Sequence, residues 1–114
     1  MSEPRLTTEF RIRAAIRRAD LDSIAVAVLH KGDPTAGAVL IRLDRRAAGC
    51  TVLIETRDQA GRPAWLKGTG DAPVAGADAD AYIDRSRKRD PDLWVIEIDD
   101  EKGRLPFDEK VLGS

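Results

Sequence analysis

Cysteine and histidine are almost missing. Cys50 is the one cysteine in 114 residues and His30 the one histidine. A lone thiol excludes an internal disulfide and any cysteine-rich metal cluster, and it fits a reducing compartment. Nucleophilic catalysis by Ser or Cys usually needs an adjacent imidazole, which only His30 can supply, and zinc would need two carboxylates beside His30 and Cys50. The plainer assignment is a strand-end histidine and a small buried thiol. Aromatic residues make up 4% of the chain, scattered at Phe10, Trp65, Tyr82, Trp94 and Phe107, which suits a core better than base stacking. Neither sign of charge dominates: 19 Lys plus Arg against 20 Asp plus Glu leave a net charge of −1. That balance gives no global attraction to nucleic acid or to an anionic membrane. No run approaches the roughly 18 apolar residues of a membrane helix, and the opening residues lack the apolar centre of a signal peptide. The expectation is a cytoplasmic chain with no membrane partner.

What is present is enough for one modest core: 42% hydrophobic and 34% charged residues, read as a single domain over 1–114. Polar termini are expected at 1–5 and 108–114. In "TTEFRIRAAIRRAD", Ile12, Ala15, Ile16 and Ala19 make a helical stripe behind an N-cap at Thr7 or Thr8, while Phe10 and Ala14 form a second, narrower strip. Three β-rich runs follow, at 24–30, 38–43 and 51–56, with short connectors that suit antiparallel neighbours. Val39, Ile41 and Leu43 alternate onto one face, as do Val52 and Ile54. Residues 58–76 are broken by Gly and Pro and predict a flexible loop with room for one short strand at "PAWLK". "ADADAYIDRSRKRD" predicts a second helix that Asp90-Pro91 ends. In the strand beyond it, Trp94, Ile96 and Ile98 face one way and Leu93 and Val95 the other, which predicts an interior position. "DDEKG" reads as a turn and "RLPF" as a return along the sheet edge.

"HKGDPTAGAVLIRL" and "DPDLWVIEIDDEKGR", together with the arginine-rich first helix, resemble a small bacterial family described as domain of unknown function 1491. The resembling positions are Gly32, Asp33, Pro34, Ala36 and Gly37, then Asp90, Pro91, Asp92, Leu93, Trp94, Glu97, Asp100 and Gly103, within a similarity that runs from Arg5 to Phe107. The resemblance implies a single domain in a bacterial cytosol. It implies no activity and carries over no catalytic residue.

Several constellations were weighed for chemistry. "DADAYIDRSRKR" opens like a calcium loop, but Ile83 stands where Gly is needed and Arg89 where the bidentate Glu should be. "GTGDAP" has dinucleotide-type glycines without a strand-to-helix turn. The order helix, three strands, helix, strand matches the core of PD-(D/E)xK nucleases, in which carboxylates hold Mg²⁺ and a Lys helps activate water. Asp33 or Asp44 would be the first acid and Glu55-Thr56-Arg57 the second element, but Arg57 cannot act as a base. Two basic runs, Arg11, Arg13, Arg17 and Arg18 in the first helix and Arg85, Arg87, Lys88 and Arg89 in the second, would form one patch if both helices covered the same sheet face. Asp99, Asp100 and Glu101 would form an acidic docking tip of opposite sign.

These residues predict an α+β fold: a mainly antiparallel sheet of four to five strands, in the order α-β-β-β-α-β, with both helices on one face. Ile12, Ile16, Ala19, Tyr82 and Ile83 would pack on Val39, Ile41, Val52, Ile54, Trp94 and Ile96. The leading function is a non-enzymatic interaction module for an unknown protein partner or for self-association through a sheet edge. A nucleic-acid binder and a degenerate metal nuclease are the alternatives, and no metal or cofactor is expected.

Overall fold

Thr7, extended at φ −67 and ψ 155, accepts a hydrogen bond from the Phe10 amide and opens α1 (Thr8–Leu21). The computed structural model describes residues 6–113, so the expected polar terminus at 1–5 lies outside the described residues. After α1 come β1 (Ala25–His30), β2 (Val39–Asp44), a 3-10 turn at Arg46–Ala48, β3 (Cys50–Arg57) and β4 (Pro63–Lys67). The chain ends with α2 (Gly76–Arg89), β5 (Trp94–Asp99) and β6 (Lys110–Val111).

The strands form one six-stranded sheet in the order β1-β5-β2-β3-β4-β6. The α+β class holds, but the sheet is mixed. β5 runs parallel to β2 and β6 parallel to β4, while the other three pairs are antiparallel. β5 enters between β1 and β2, so these two are not neighbours despite their short connector. The late strand carries apolar side chains on both faces and takes the buried central place that such a strand needs. "RLPF" forms no strand; Leu105 and Phe107 pack on the core and Pro106 is buried. The edge position belongs instead to β6, inside the segment expected to be a polar tail. Residues 58–76 are tied down by β4, by a bridge between Cys50 and Val74 and by the Gly68 amide on the Val52 carbonyl.

The helices lie on opposite faces of the sheet, which corrects the expectation of a shared face. Ile12 and Ala19 of α1 cover Val39, Ile41, Leu53, Trp65, Trp94 and Ile96. Ala79 and Ile83 of α2 cover Leu40, Cys50, Val52 and Val95, with Tyr82 and Ile54 at the margin. The register explains why Val52 and Ile54 do not join Val39 and Ile41: Ile41 pairs with Leu53 and Leu40 with Ile54. β2 is apolar on both sides, so its sequence does not say which helix covers which side. β4 and β5 run the same way, and the strong preference for one hand of crossover between parallel strands selects the face of α2 independently of α1.

One junction sets the central pairing. The Asp33 amide donates to the Asp92 carbonyl at 3.0 Å, and the Trp94 amide donates to the Ala38 carbonyl at 2.9 Å. A Cβ on Gly32 or Gly37 would collide with the Asp92 carbonyl oxygen, so close approach of the two backbones demands glycine at both positions. The Trp94 indole, 3% exposed, donates to the Asp33 carbonyl at 2.6 Å. The same loop closes the N-terminus of α1, where the Thr8 amide reaches the Thr35 carbonyl and the Glu9 amide the Pro34 carbonyl. Truncating Trp94 to alanine removes a buried ring and leaves the Asp33 carbonyl with the Gly37 amide as its donor, and is expected to cost about 3–5 kcal/mol in chemical denaturation. A loss below about 1 kcal/mol would show the ring to be dispensable to the core.

Candidate functional site

Arg42 lies on the α2 side of the central strand β2 and is 8% exposed. Its Nε donates to Asp80 of α2 at 2.9 Å, and its Nη1 reaches both Asp44 and Glu97 at 3.1 Å. Glu97 is its partner in the parallel ladder, so sheet register alone brings the two together. Burial opposes the charge on Arg42, yet the bonds from Asp44 and Asp80 hold its pKa above the ordinary value. Beside it Cys50 is buried, and that burial pushes its thiol up, away from the thiolate needed for reactivity. The cluster is a clamp: one cation joins β2, β5 and α2 through three carboxylates. It is saturated internally and offers no free base or nucleophile. Arg42 is not among the candidate site residues read from the sequence. An arginine flanked by apolar residues in "VLIRL" was the available signal.

The other residues singled out from sequence are dispersed. Asp33 caps its own turn, accepting from the Ala36 amide at 2.8 Å. Glu55 pairs with Arg11 at 3.2 Å on the α1 side, and Arg57 donates to the Gly61 carbonyl. Among the described residues no three His, Cys, Asp or Glu side chains gather to hold a metal. His30 donates through Nδ1 to the Leu93 carbonyl at 2.8 Å, and two strands, β5 and β2, lie between it and Cys50. Two shallow hollows, of about 260 and 180 Å³, are lined by neither Asp33, Glu55 nor Arg57. Both fall below the roughly 300–1,000 Å³ of ordinary ligand pockets.

The two basic runs cannot merge, because their helices lie on opposite faces. Arg11, Arg13 and Arg18 of α1 are paired with Glu55 and Glu109, Glu9 and Asp108, which leaves Arg17 without a carboxylate among the described residues. In α2, Arg85 lies over the Tyr82 ring, and Arg87, Lys88 and Arg89 are exposed without a carboxylate partner among the described residues. The acidic tip is occupied from within its own chain. Asp99 pairs with Arg46 at 3.2 Å, Glu101 lies 3.8 Å from the same guanidinium, and Asp100 is 7% exposed and bonded to Arg104 at 2.9 Å.

Among the described residues two features are left unsatisfied, the buried Trp65 indole nitrogen, which has no hydrogen-bond partner, and one sheet edge. β1 pairs only with β5 and its other side faces outward. Ala25 and Ala27 are exposed, as are Val28 at 42% and Leu29 at 53%. No charged side chain interrupts Ala25–Leu29. The opposite edge, β6, is two residues long and carries Lys110, which pairs with Asp58 at 3.2 Å. Short, charged edges are how soluble sheets avoid edge-to-edge contact, and β1 lacks the charge. The sequence showed the strand but not that it would be terminal.

A mixed six-stranded sheet with one helix on each face, a closed arginine clamp and an open apolar edge defines a small α+β protein. The chain belongs to the family described as protein of unknown function (DUF1491), whose model matches residues 6–108. It is similar to a DUF1491 family protein from Caulobacter crescentus solved by crystallography, at 37% identity and a TM-score of 0.83, over 94% of this chain and 99% of that one. The NMR structure of a DUF1491 family protein from the same organism gives 36% identity and a TM-score of 0.80, over 96% and 98%. A solution structure of an A. tumefaciens protein gives 27% and 0.71, over 93% and 97%. Among curated proteins none matches the chain. Among the described residues no helix is long and apolar enough to cross a membrane.

The clamps make acid the natural denaturant. The Arg104 guanidinium holds the Asp100 carboxyl below its ordinary 3.8 against the opposing effect of burial. The Arg46 amide does the same for Asp44, again against burial and with help from Arg42. Because the folded pKa is the lower one in each case, the stabilisation is fully present above the ordinary carboxylate pKa and is lost as pH falls through the folded value. Urea midpoints are therefore expected to be flat near neutrality and to fall below about pH 4. Asp100→Asn should lower the neutral value and flatten the acid slope. An unchanged slope would mean that the Asp100–Arg104 pair is not a source of acid sensitivity.

Proposed function

We propose that the chain is a small non-enzymatic interaction module of the bacterial cytoplasm that docks a protein partner by adding a strand along β1. The observation that carries this reading is the asymmetry of the two edges. β6 is short and charged, whereas β1 presents six residues with exposed Val28 and Leu29. Main-chain groups of an open edge supply affinity to an incoming strand, and alternate side chains supply selectivity. The buried thiol of Cys50 fits a reducing compartment. In a native lysate, tagged wild-type chain is expected to retain at least one protein, untagged copies of itself included. Val28→Lys should lose that protein and Arg87→Glu should keep it. Equal capture by wild type and Val28→Lys overturns docking at β1.

A second reading rests on α2, whose Arg87, Lys88 and Arg89 are exposed and find no carboxylate among the described residues. Such a run attracts phosphates, and each neutralised phosphate steepens the salt dependence of binding. Retention on DNA or RNA that weakens with salt and disappears in Arg87→Glu, but persists in Arg17→Glu, would establish α2 as a nucleic-acid contact; no retention at low salt excludes it.

A further inference from the structure

We infer that the strand added at β1 is the β1 of a second copy, running antiparallel about a two-fold axis at Ala27, so that two sheets join into one. This inference rests on the reading of β1 as a docking edge and names its partner. Three observations lead to it. The first is symmetry. A second copy offers two edges, and β6 with its two residues cannot match a six-residue strand, so the complement available to β1 is β1 itself. Contact of a patch with itself requires a two-fold axis, which closes the assembly at two chains.

The second observation is charge. β1 is preceded by Asp20 and Asp22 and followed by His30 and Lys31, and all but His30 are exposed. Neither Asp20 nor Lys31 forms an ion pair among the described residues. Antiparallel pairing lays the acidic end of one copy beside the basic end of the other, twice. Parallel pairing would set like charges together, so the charges select the antiparallel arrangement.

The third observation is the side-chain pattern. Val26 and Val28 align with Ile98 and Ile96 on the α1 face, and Ala25 and Ala27 align with Asp99 and Glu97 on the α2 face. A two-fold axis normal to the sheet keeps each face continuous, so residues on one face must oppose residues on the same face. Centred on Ala27, the pairing sets Val26 of one copy against Val28 of its partner on both sides of the axis, with the small Ala27 facing itself. The exposed Val28 side chain is thereby covered by Val26 of the partner. The irregularity in β1 falls after Val28 and leaves Ala25–Val28 regular for pairing.

The register gives a direct test. Directly opposed Cα atoms in an antiparallel pair are about 4.5–5.5 Å apart, within the roughly 4.4–6.8 Å that a disulfide spans. Ala27→Cys should therefore form a covalent dimer under mild oxidation. Ala25→Cys should not, because its equivalent in the other copy lies four residues along the strand, about 13 Å away. Light scattering on purified wild-type chain is expected to give twice the 12.5 kDa monomer mass as concentration rises from micromolar towards millimolar. Val28→Lys should stay monomeric with a thermal melt like that of wild type. A monomer at every concentration with no cross-link through Ala27→Cys overturns the second copy as partner. Capture of a different protein that depends on Val28 would then leave strand addition itself standing. A dimer that survives Val28→Lys, or that cross-links as well through Ala25→Cys, also overturns the proposal.

Discussion

The fold depends on how closely the backbone at Gly32–Gly37 meets the backbone at Asp92. β2 and β5 are the two central strands, but they lie far apart in sequence and run parallel, so no hairpin turn sets their register. The Asp33 amide on the Asp92 carbonyl and the Trp94 amide on the Ala38 carbonyl set it instead. With that register in place, Arg42 stands opposite Glu97 and Trp94 opposite Val39. A one-residue slip of β5 would turn the indole onto the α2 face and take Glu97 away from Arg42. The loop also closes the start of α1, so one glycine-dependent contact orders the sheet and one of its two layers together.

Arg42 is the complementary constraint on the other face. A buried cation is costly, and apolar replacements of such clusters are often as stable as the original. Here the cost is tempered because Asp44, Glu97 and Asp80 keep 31%, 32% and 63% of their side-chain exposure while the guanidinium is shielded. The arrangement also confers orientation. α2 buries little apolar surface beyond Ala79 and Ile83, and a hydrogen bond from Arg42 to Asp80 sets how far along the sheet the helix lies. This accounts for a polar centre in a layer that hydrophobic packing alone would leave free to slide.

Most elements were readable from local pattern, β6 being the exception. Both helices, the strand at "PAWLK" and the two-faced character of Leu93–Ile98 follow from periodicity and from stops such as Asp90-Pro91. What was not readable is tertiary. The exchange of β5 into the middle of the sheet, the opposite faces of α1 and α2 and the neighbours of each charge depend on contacts between distant segments. Arg11 finds Glu55 and Arg18 finds Asp108, at separations of 44 and 90 residues, so the α1 run that looks like a cationic patch is largely neutralised on folding. Asp99 to Glu101 lose their apparent role for the same reason, since Arg46 and Arg104 come to them. Charge runs carry functional information only after these pairings are subtracted. By that measure, among the described residues, α2 keeps cations without a carboxylate and α1 keeps Arg17.

The same subtraction applied to apolar surface isolates β1. Leu6, Phe10 and Leu21 are exposed on or beside α1 and Leu66 on β4, yet they stand singly, as apolar side chains commonly do on soluble proteins. Val28 and Leu29 differ because they adjoin main-chain groups with no sheet neighbour, and an unpaired edge has a specific, directional complement in a way that an isolated leucine has not. The opposite edge carries the usual protection, a two-residue strand with a paired lysine, so the lack of it at β1 is not a general feature of this sheet. Where the acidic tip and most cations of α1 are paired internally and the two hollows among the described residues are small, the open edge is a surface whose physical chemistry specifies what should meet it: another extended strand.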